Sequence, residues 1–272
     1  MDNKQVIRNC HMQNVPVLMY HALEDQDHPA HAKDPGEQLY ILHKDTFYSQ
    51  MKYLFENAFK VFLLEDLLQL EQWPEHAVVL TFDDGHESNY TIALPVLEQF
   101  GFKAHFFITT DWINTPGFLN TTEILKLVEK GMKIGSHGTS HSYFNEMELP
   151  RAEKELAQSK LLLEHCTDSL ITSFSAPGGR MNANTVKIAE RIGYNLLCTS
   201  EFALFTLNNK FRPVPRIPVK AGMDMAVFKK IVHKDANLIQ RYKLKSSILS
   251  SLKKLLGNTF YEKLRITLLN RK

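Results

Sequence analysis

The sequence predicts an α/β fold, a distorted or incomplete (β/α)7 barrel of the TIM type that ends in a basic amphipathic helical tail. Three observations predict it. Short runs rich in Val, Ile, Leu and Phe alternate with helical patterns, the order expected of βα units. About seven such units follow one another with no internal repeat and no low-complexity linker, which suits a ring better than an open sheet. Paired acids and paired histidines stand directly after two of the apolar runs, and parallel barrels carry their chemistry at the C-terminal ends of strands.

Taken in order, the strands are expected at 15–20, 77–82, 104–109, 133–136, 172–176, 195–199 and 216–219. Helical segments are expected near 46–57, 64–70, 88–99, 121–130, 149–165, 182–192 and 224–233. Gly101 and Gly193 each follow a helical pattern where a C-cap belongs. Pro95 falls inside its helical pattern, so it has to kink that helix or move its start later. The polar loop 24–38, with His28, Pro29, His31, Pro35 and Gly36, is long for a compact domain. It is either a substrate-binding lid or a mobile insertion.

The chain of 272 residues is 44% hydrophobic and 23% charged, as in ordinary globular proteins. Its net charge of +2 is unevenly spread. Residues 238–272 carry nine Lys and Arg against Glu262 alone, which leaves about −6 on residues 1–237. This predicts a division into a domain, 1–237, and a basic extension, 238–272. In the extension Ile248, Leu252, Leu255, Leu256, Phe260, Leu264 and Leu268 recur at helical spacing, interrupted near Gly257 and Asn258. Such a helix either packs on the barrel or lies on an anionic membrane surface. A nucleic-acid partner is not expected, since the tail is short and the body acidic.

Cys10, Cys166 and Cys198 show no CxxC spacing and read as reduced structural thiols. The N-terminus lacks the apolar core of a secretory signal, and no run reaches the roughly 18 apolar residues of a membrane span. The expected location is cytoplasmic, with peripheral contact at the inner face of the membrane through 238–272.

Two motifs carry chemistry. In Val78-Val79-Leu80-Thr81-Phe82-Asp83-Asp84-Gly85-His86 an apolar strand runs straight into adjacent carboxylates. Their mutual repulsion is costly unless a cation relieves it, which would let one acid ligate while the other stays free to accept a proton. Alone, the triplet also reads as a solvated turn. In Ile134-Gly135-Ser136-His137-Gly138-Thr139-Ser140-His141 two histidines stand at i and i+4, and can face one point if the residues between form a turn of helix. Imidazole and carboxylate together suit a divalent ion, Zn²⁺ first and Co²⁺, Ni²⁺ or Mn²⁺ next.

Between about Val15 and Val232 the chain resembles the polysaccharide deacetylase family (NodB-homology domains, family 4 carbohydrate esterases). Thr81-Phe82-Asp83-Asp84-Gly85 matches the family's TFDDG motif. His137-Gly138-Thr139-Ser140-His141 matches its H(S/T)xxH motif except at Gly138. Leu18-Met19-Tyr20-His21 resembles the opening of the branch acting on poly-N-acetylglucosamine. The resemblance implies the NodB-homology barrel and hydrolysis of N-acetyl groups on amino sugars of a glycan or lipid-linked saccharide. It also implies Asp83 as general base and Asp84, His137 and His141 as metal ligands.

Phe174-Ser175-Ala176-Pro177-Gly178-Gly179-Arg180 occupies the place of the family's RxPYG motif, with Ser175 where the base-orienting Arg is usual and Gly178 where the aromatic is. Arg180 or Arg216 could supply the missing guanidinium, and Arg216 is equally readable as a salt bridge on the barrel rim. Pro177 and Gly178 are expected to border the sugar pocket, together with His86 and Tyr143, the latter in the loop expected to hold the oxyanion. The family's Leu-x-His, which protonates the leaving amine, is missing; His21, at the end of the first strand, is the best-placed substitute. Two alternatives stay open: removal of another acyl group, such as formyl, from a lipid-linked amino sugar, and a sugar-binding pseudoenzyme without a catalytic acid.

Overall fold

The computed structural model describes residues 13–30, 35–206 and 213–245. Its central strands are β1 (Val17–Tyr20), β2 (Ala77–Phe82), β3 (His105–Ile108), β4 (Lys133–Ser136), β5 (Ser173–Ser175), β6 (Leu196–Cys198) and β7 (Ile217–Pro218). The helices are α1 (Lys44–Glu56), α2 (Leu64–Gln69), α3 (Leu94–Phe100), α4 (Thr121–Glu129), α5 (Leu149–Thr167), α6 (Ala183–Ile192) and α7 (Met225–Val232). All seven strands pair in parallel, in the order β6-β5-β4-β3-β2-β1-β7. Every residue of β1, β2 and β3 is buried, which is why these strands read as unbroken apolar runs without alternation.

The ring is closed by one thin segment. Val214 bridges to Cys198 on β6, and three residues later Ile217 pairs with Leu18 on β1. The expected distorted barrel is thus present, with 214–218 spanning its gap. Gly101 and Gly193 cap α3 and α6 in the left-handed conformation, as the sequence predicts. Pro95 does both things expected of it. The 88–99 pattern splits into a π-helical turn, Asn89–Ala93, and α3, which starts one residue before the proline.

Short strands escape the sequence pattern. Asn14–Val15 pairs with Phe205–Thr206, Leu23–Glu24 with Leu42–His43, and Lys60–Phe62 joins the edge of β2. Two or three residues give no periodicity to read. A one-turn helix, Pro35–Gln38, interrupts the long loop. Residues 236–245 are helical, with Leu238 and Ile239 against the core and Tyr242 stacked on Phe202 at 4.6 Å. The remainder of the basic extension lies outside the described residues. Among the described residues no helix is long and apolar enough to cross a membrane.

Candidate active site and metal centre

A cleft of about 980 Å³ opens at the C-terminal ends of the strands. His21, Asp83, Asp84, His86, His137, His141, Tyr143, Gly178 and Arg180 all line it. Pro177 does not; it is buried beneath the rim. Asp27, His28, Pro29, Gly36 and Glu37 also line the cleft, so the long loop is a wall of the site.

Asp84 follows β2 in the left-handed region (φ 76°), and Gly85 repeats it (φ 82°). That reversal turns the carboxylate back toward β4. Asp84 Oδ1 lies 3.3 Å from His137 Nε2 and 3.2 Å from His141 Nε2, and it is buried without a hydrogen bond. His137 Nδ1 donates to the Ser175 carbonyl at 2.8 Å, which leaves Nε2 with its lone pair aimed at Asp84. The three atoms lie within 4.8 Å of one another, close enough to share one ion. An orphaned carboxylate oxygen and converging imidazole nitrogens fit a divalent ion. Burial tends to raise the Asp84 pKa, but the facing imidazoles of His137, His141 and His86 outweigh it and hold the group well below the carboxylate range.

The histidine pair converges by a different route from the expected helical turn. Residues 137–141 form an irregular loop, because Gly138 (φ 81°) and His141 (φ 57°) both take the left-handed conformation. This explains glycine where the family has Ser or Thr, since a Cβ at 138 would stand 3.2 Å from the Phe144 ring. Gly138→Ser is expected to cost about 1–2 kcal/mol, read as a lowered melting temperature with weaker metal uptake. An unchanged melt would mean that the loop relaxes freely.

Asp83, buried beside Asp84, is gripped by Arg216. Nη1 donates to Oδ1 and Nη2 to Oδ2, both at 2.6 Å. Nη2 also donates to Ser175 Oγ (2.7 Å), Nη1 to Thr81 Oγ1 (3.2 Å) and Nε to the Thr199 carbonyl (3.0 Å). All five guanidinium donors are satisfied. Arg216 is 0% exposed, so the rim salt bridge is ruled out. The guanidinium missing from β5 arrives instead from the closing segment, and Ser175, at the vacated position, donates to Asp83 Oδ2 (3.2 Å). Burial pushes the Asp83 pKa up, but the Arg216 charge prevails and lowers it.

Arg180 does not reach Asp83. Its guanidinium lies 3.7 Å from the Tyr143 ring centroid and 3.7 Å from Glu146, bracing the rim. His86 stacks on Phe118 (4.9 Å) with Nε2 3.5 Å from Asp84. His21 packs on Tyr40 (4.6 Å), and burial pushes its imidazole down to about 4, which leaves it neutral at neutral pH. Sequence reasoning missed Tyr40, Trp112, which stacks on His141 at 4.8 Å, and Glu155 under the histidine loop. No motif marks them; only the fold brings them to the site.

Known proteins share this chain's sequence pattern and fold. Residues 71–197 match the polysaccharide deacetylase family. YxkH of Bacillus subtilis (strain 168), which carries a polysaccharide deacetylase name, is 29% identical over 79% of this chain and 74% of its own. The poly-β-1,6-N-acetyl-D-glucosamine N-deacetylase of Escherichia coli (strain K12) is 30% identical over 42% of this chain, a match spanning 15% of that protein. Among solved structures, the Streptococcus pyogenes deacetylase PplD, in complex with acetate, superposes with a TM-score of 0.72 at 23% identity. The match covers 81% of this chain and 99% of that one. Over residues 71–197 the chain carries a polysaccharide deacetylase domain.

Proposed function

We propose that this protein removes N-acetyl groups from amino-sugar residues of the N-acetylglucosamine type, in a glycan or a lipid-linked saccharide. The observation that carries the reading is the Asp84–His137–His141 cluster beside an Arg216-held Asp83, in a cleft large enough for a sugar. Asp84, His137 and His141 would hold the ion, Zn²⁺ by donor type. When bound, it would polarise the acetyl carbonyl and acidify an attacking water. Asp83 takes that water's proton. Its Oδ2 already accepts two hydrogen bonds while Oδ1 accepts one, so Oδ1 has the freer lone pair.

Because Arg216 lowers its pKa, Asp83 is a weak base, and proton transfer to it depends on the water being acidic. The leaving amine needs a proton in return. His21, facing the same cleft and neutral at rest, relays rather than supplies it in this reading. Tyr143, braced by Arg180, and the Gly178 backbone form the sugar-facing rim, with His86 on the opposite flank of Asp84. A formyl or other short acyl group would meet the same reacting atoms. Contact of residues 238–272 with anionic lipid is part of the proposal for a lipid-linked substrate, and equal pelleting with vesicles by full-length and truncated chains would dismiss it.

The test is metal content by elemental analysis together with acetate release from chitooligosaccharides. We expect about one ion per chain, acetate release by the wild type, and loss of both in His137→Ala. Metal without release would direct the search to lipid-linked or formylated sugars. A protein purified and reconstituted without taking up metal would refute the reading.

A further inference from the structure

The loop that carries both histidines has almost no bonds of its own. His137 N donates to the Ile108 carbonyl (2.9 Å) and Gly138 N to Ser136 Oγ (3.1 Å). The carbonyls of Gly138 and Thr139 accept from Thr110 N (3.1 Å) and Asp111 N (3.0 Å), at the turn before Trp112. On the other side stands Glu155 of α5, 5% exposed. Its Oε2 accepts from Thr139 N (3.3 Å) and Ser140 N (3.1 Å), and its Oε1 from Ser140 Oγ (2.5 Å). Arg151 lies 3.4 Å from Oε1 and also donates to Ser142 Oγ. The shape of the loop is therefore imposed from outside, and one end of it, His141, is a non-glycine residue in the left-handed region.

We infer that Glu155 is a positioning residue for the metal site: its carboxylate clamps Thr139 and Ser140 so that the His141 imidazole meets His137 and Asp84 before any ion arrives. The inference rests on the proposed metal site and goes beyond it, since Glu155 is 14 positions from the nearer ligand in sequence and touches none of the three. Without the clamp, the three-residue span between the histidines has to be ordered by the ion itself, and affinity falls by that cost. Partners behind metal ligands typically matter by about 10–100-fold.

A competition titration of Zn²⁺ against a chromophoric chelator, on the full chain, tests this. Glu155→Ala should bind Zn²⁺ about 10–100-fold more weakly than wild type. Glu155→Gln keeps the shape, with its carbonyl toward the two amides and its NH₂ toward Ser140, and should stay within about threefold. The visible spectrum of bound Co²⁺ should change in the alanine variant and return in the glutamine one. If Glu155→Ala does not fold, Ser140→Ala, which removes one of the three bonds, should still weaken Zn²⁺ several-fold. Wild-type affinity in Glu155→Ala or Ser140→Ala, or a glutamine variant as weak as alanine, would overturn the inference. Failure of the wild type itself to bind Zn²⁺ is a separate outcome, which removes the metal reading and this one with it.

Discussion

Asp83→Asn is expected to lose about 10²–10⁴-fold in turnover, while the protein retains its metal. The amide is the same size but cannot take the proton of the attacking water, and Asp84, His137 and His141 remain in place to bind the ion. A second effect should accompany the first. Arg216 is completely buried and places two of its donors on Asp83. An asparagine offers it one oxygen and no charge, so a buried cation is left without its counter-ion. Breaking a buried pair in this way costs about 3–5 kcal/mol. The melting temperature should fall with the activity. Elemental analysis separates the outcomes: full metal content with no acetate release assigns the loss to the base, whereas wild-type rates would overturn the role given to Asp83.

Arg216→Met should be nearly as damaging, for a complementary reason. The flexible thioether fills much of the space but abandons five hydrogen bonds, to Thr81, Asp83, Ser175 and Thr199. Asp83 is then a buried carboxylate held by Ser175 alone, and about 3–5 kcal/mol of stability is again at stake. Arg216 does not line the cleft, so the kinetic loss should fall on kcat and leave KM close to wild type. A rise in KM without loss of kcat would make Arg216 a substrate contact instead. Combining the two substitutions supplies a control. Asp83→Asn with Arg216→Met removes both charges, so it should recover part of the lost stability and none of the activity.

The reach of sequence reading is clear from these two residues. Asp83 was legible because its motif is contiguous: strand, acids and glycine lie within nine positions, and the geometry follows from where the strand ends. Its partner lies 133 positions away, and nothing near Pro215-Arg216-Ile217-Pro218 distinguishes an inward guanidinium from a rim one. Only ring closure settles the direction, because the segment that seals the barrel has to send its side chain into the lumen. The two cleft histidines were legible as a pair, yet the loop joining them was not. Left-handed φ at His141 is a product of Glu155, Thr110 and Asp111 acting from other elements, and local propensity runs against it. Long buried strands and glycine-capped helices were readable from pattern alone. Two-residue strands, such as Leu23–Glu24, carry too few side chains to leave one.

The thin closure of the ring has a mechanical meaning. A cylinder joined by so few rungs, the Val214–Cys198 bridge and the short pairing of Asn14–Val15 with Phe205–Thr206, has its weakest seam there, between β6 and β1. Asp84 and the two histidines follow β2 and β4, each of which is bonded to neighbours on both sides. Breathing at the seam would therefore widen the mouth while the reacting atoms keep their spacing. Arg216 is the bolt across that seam, fastened at its far end to the carboxylate that must not move.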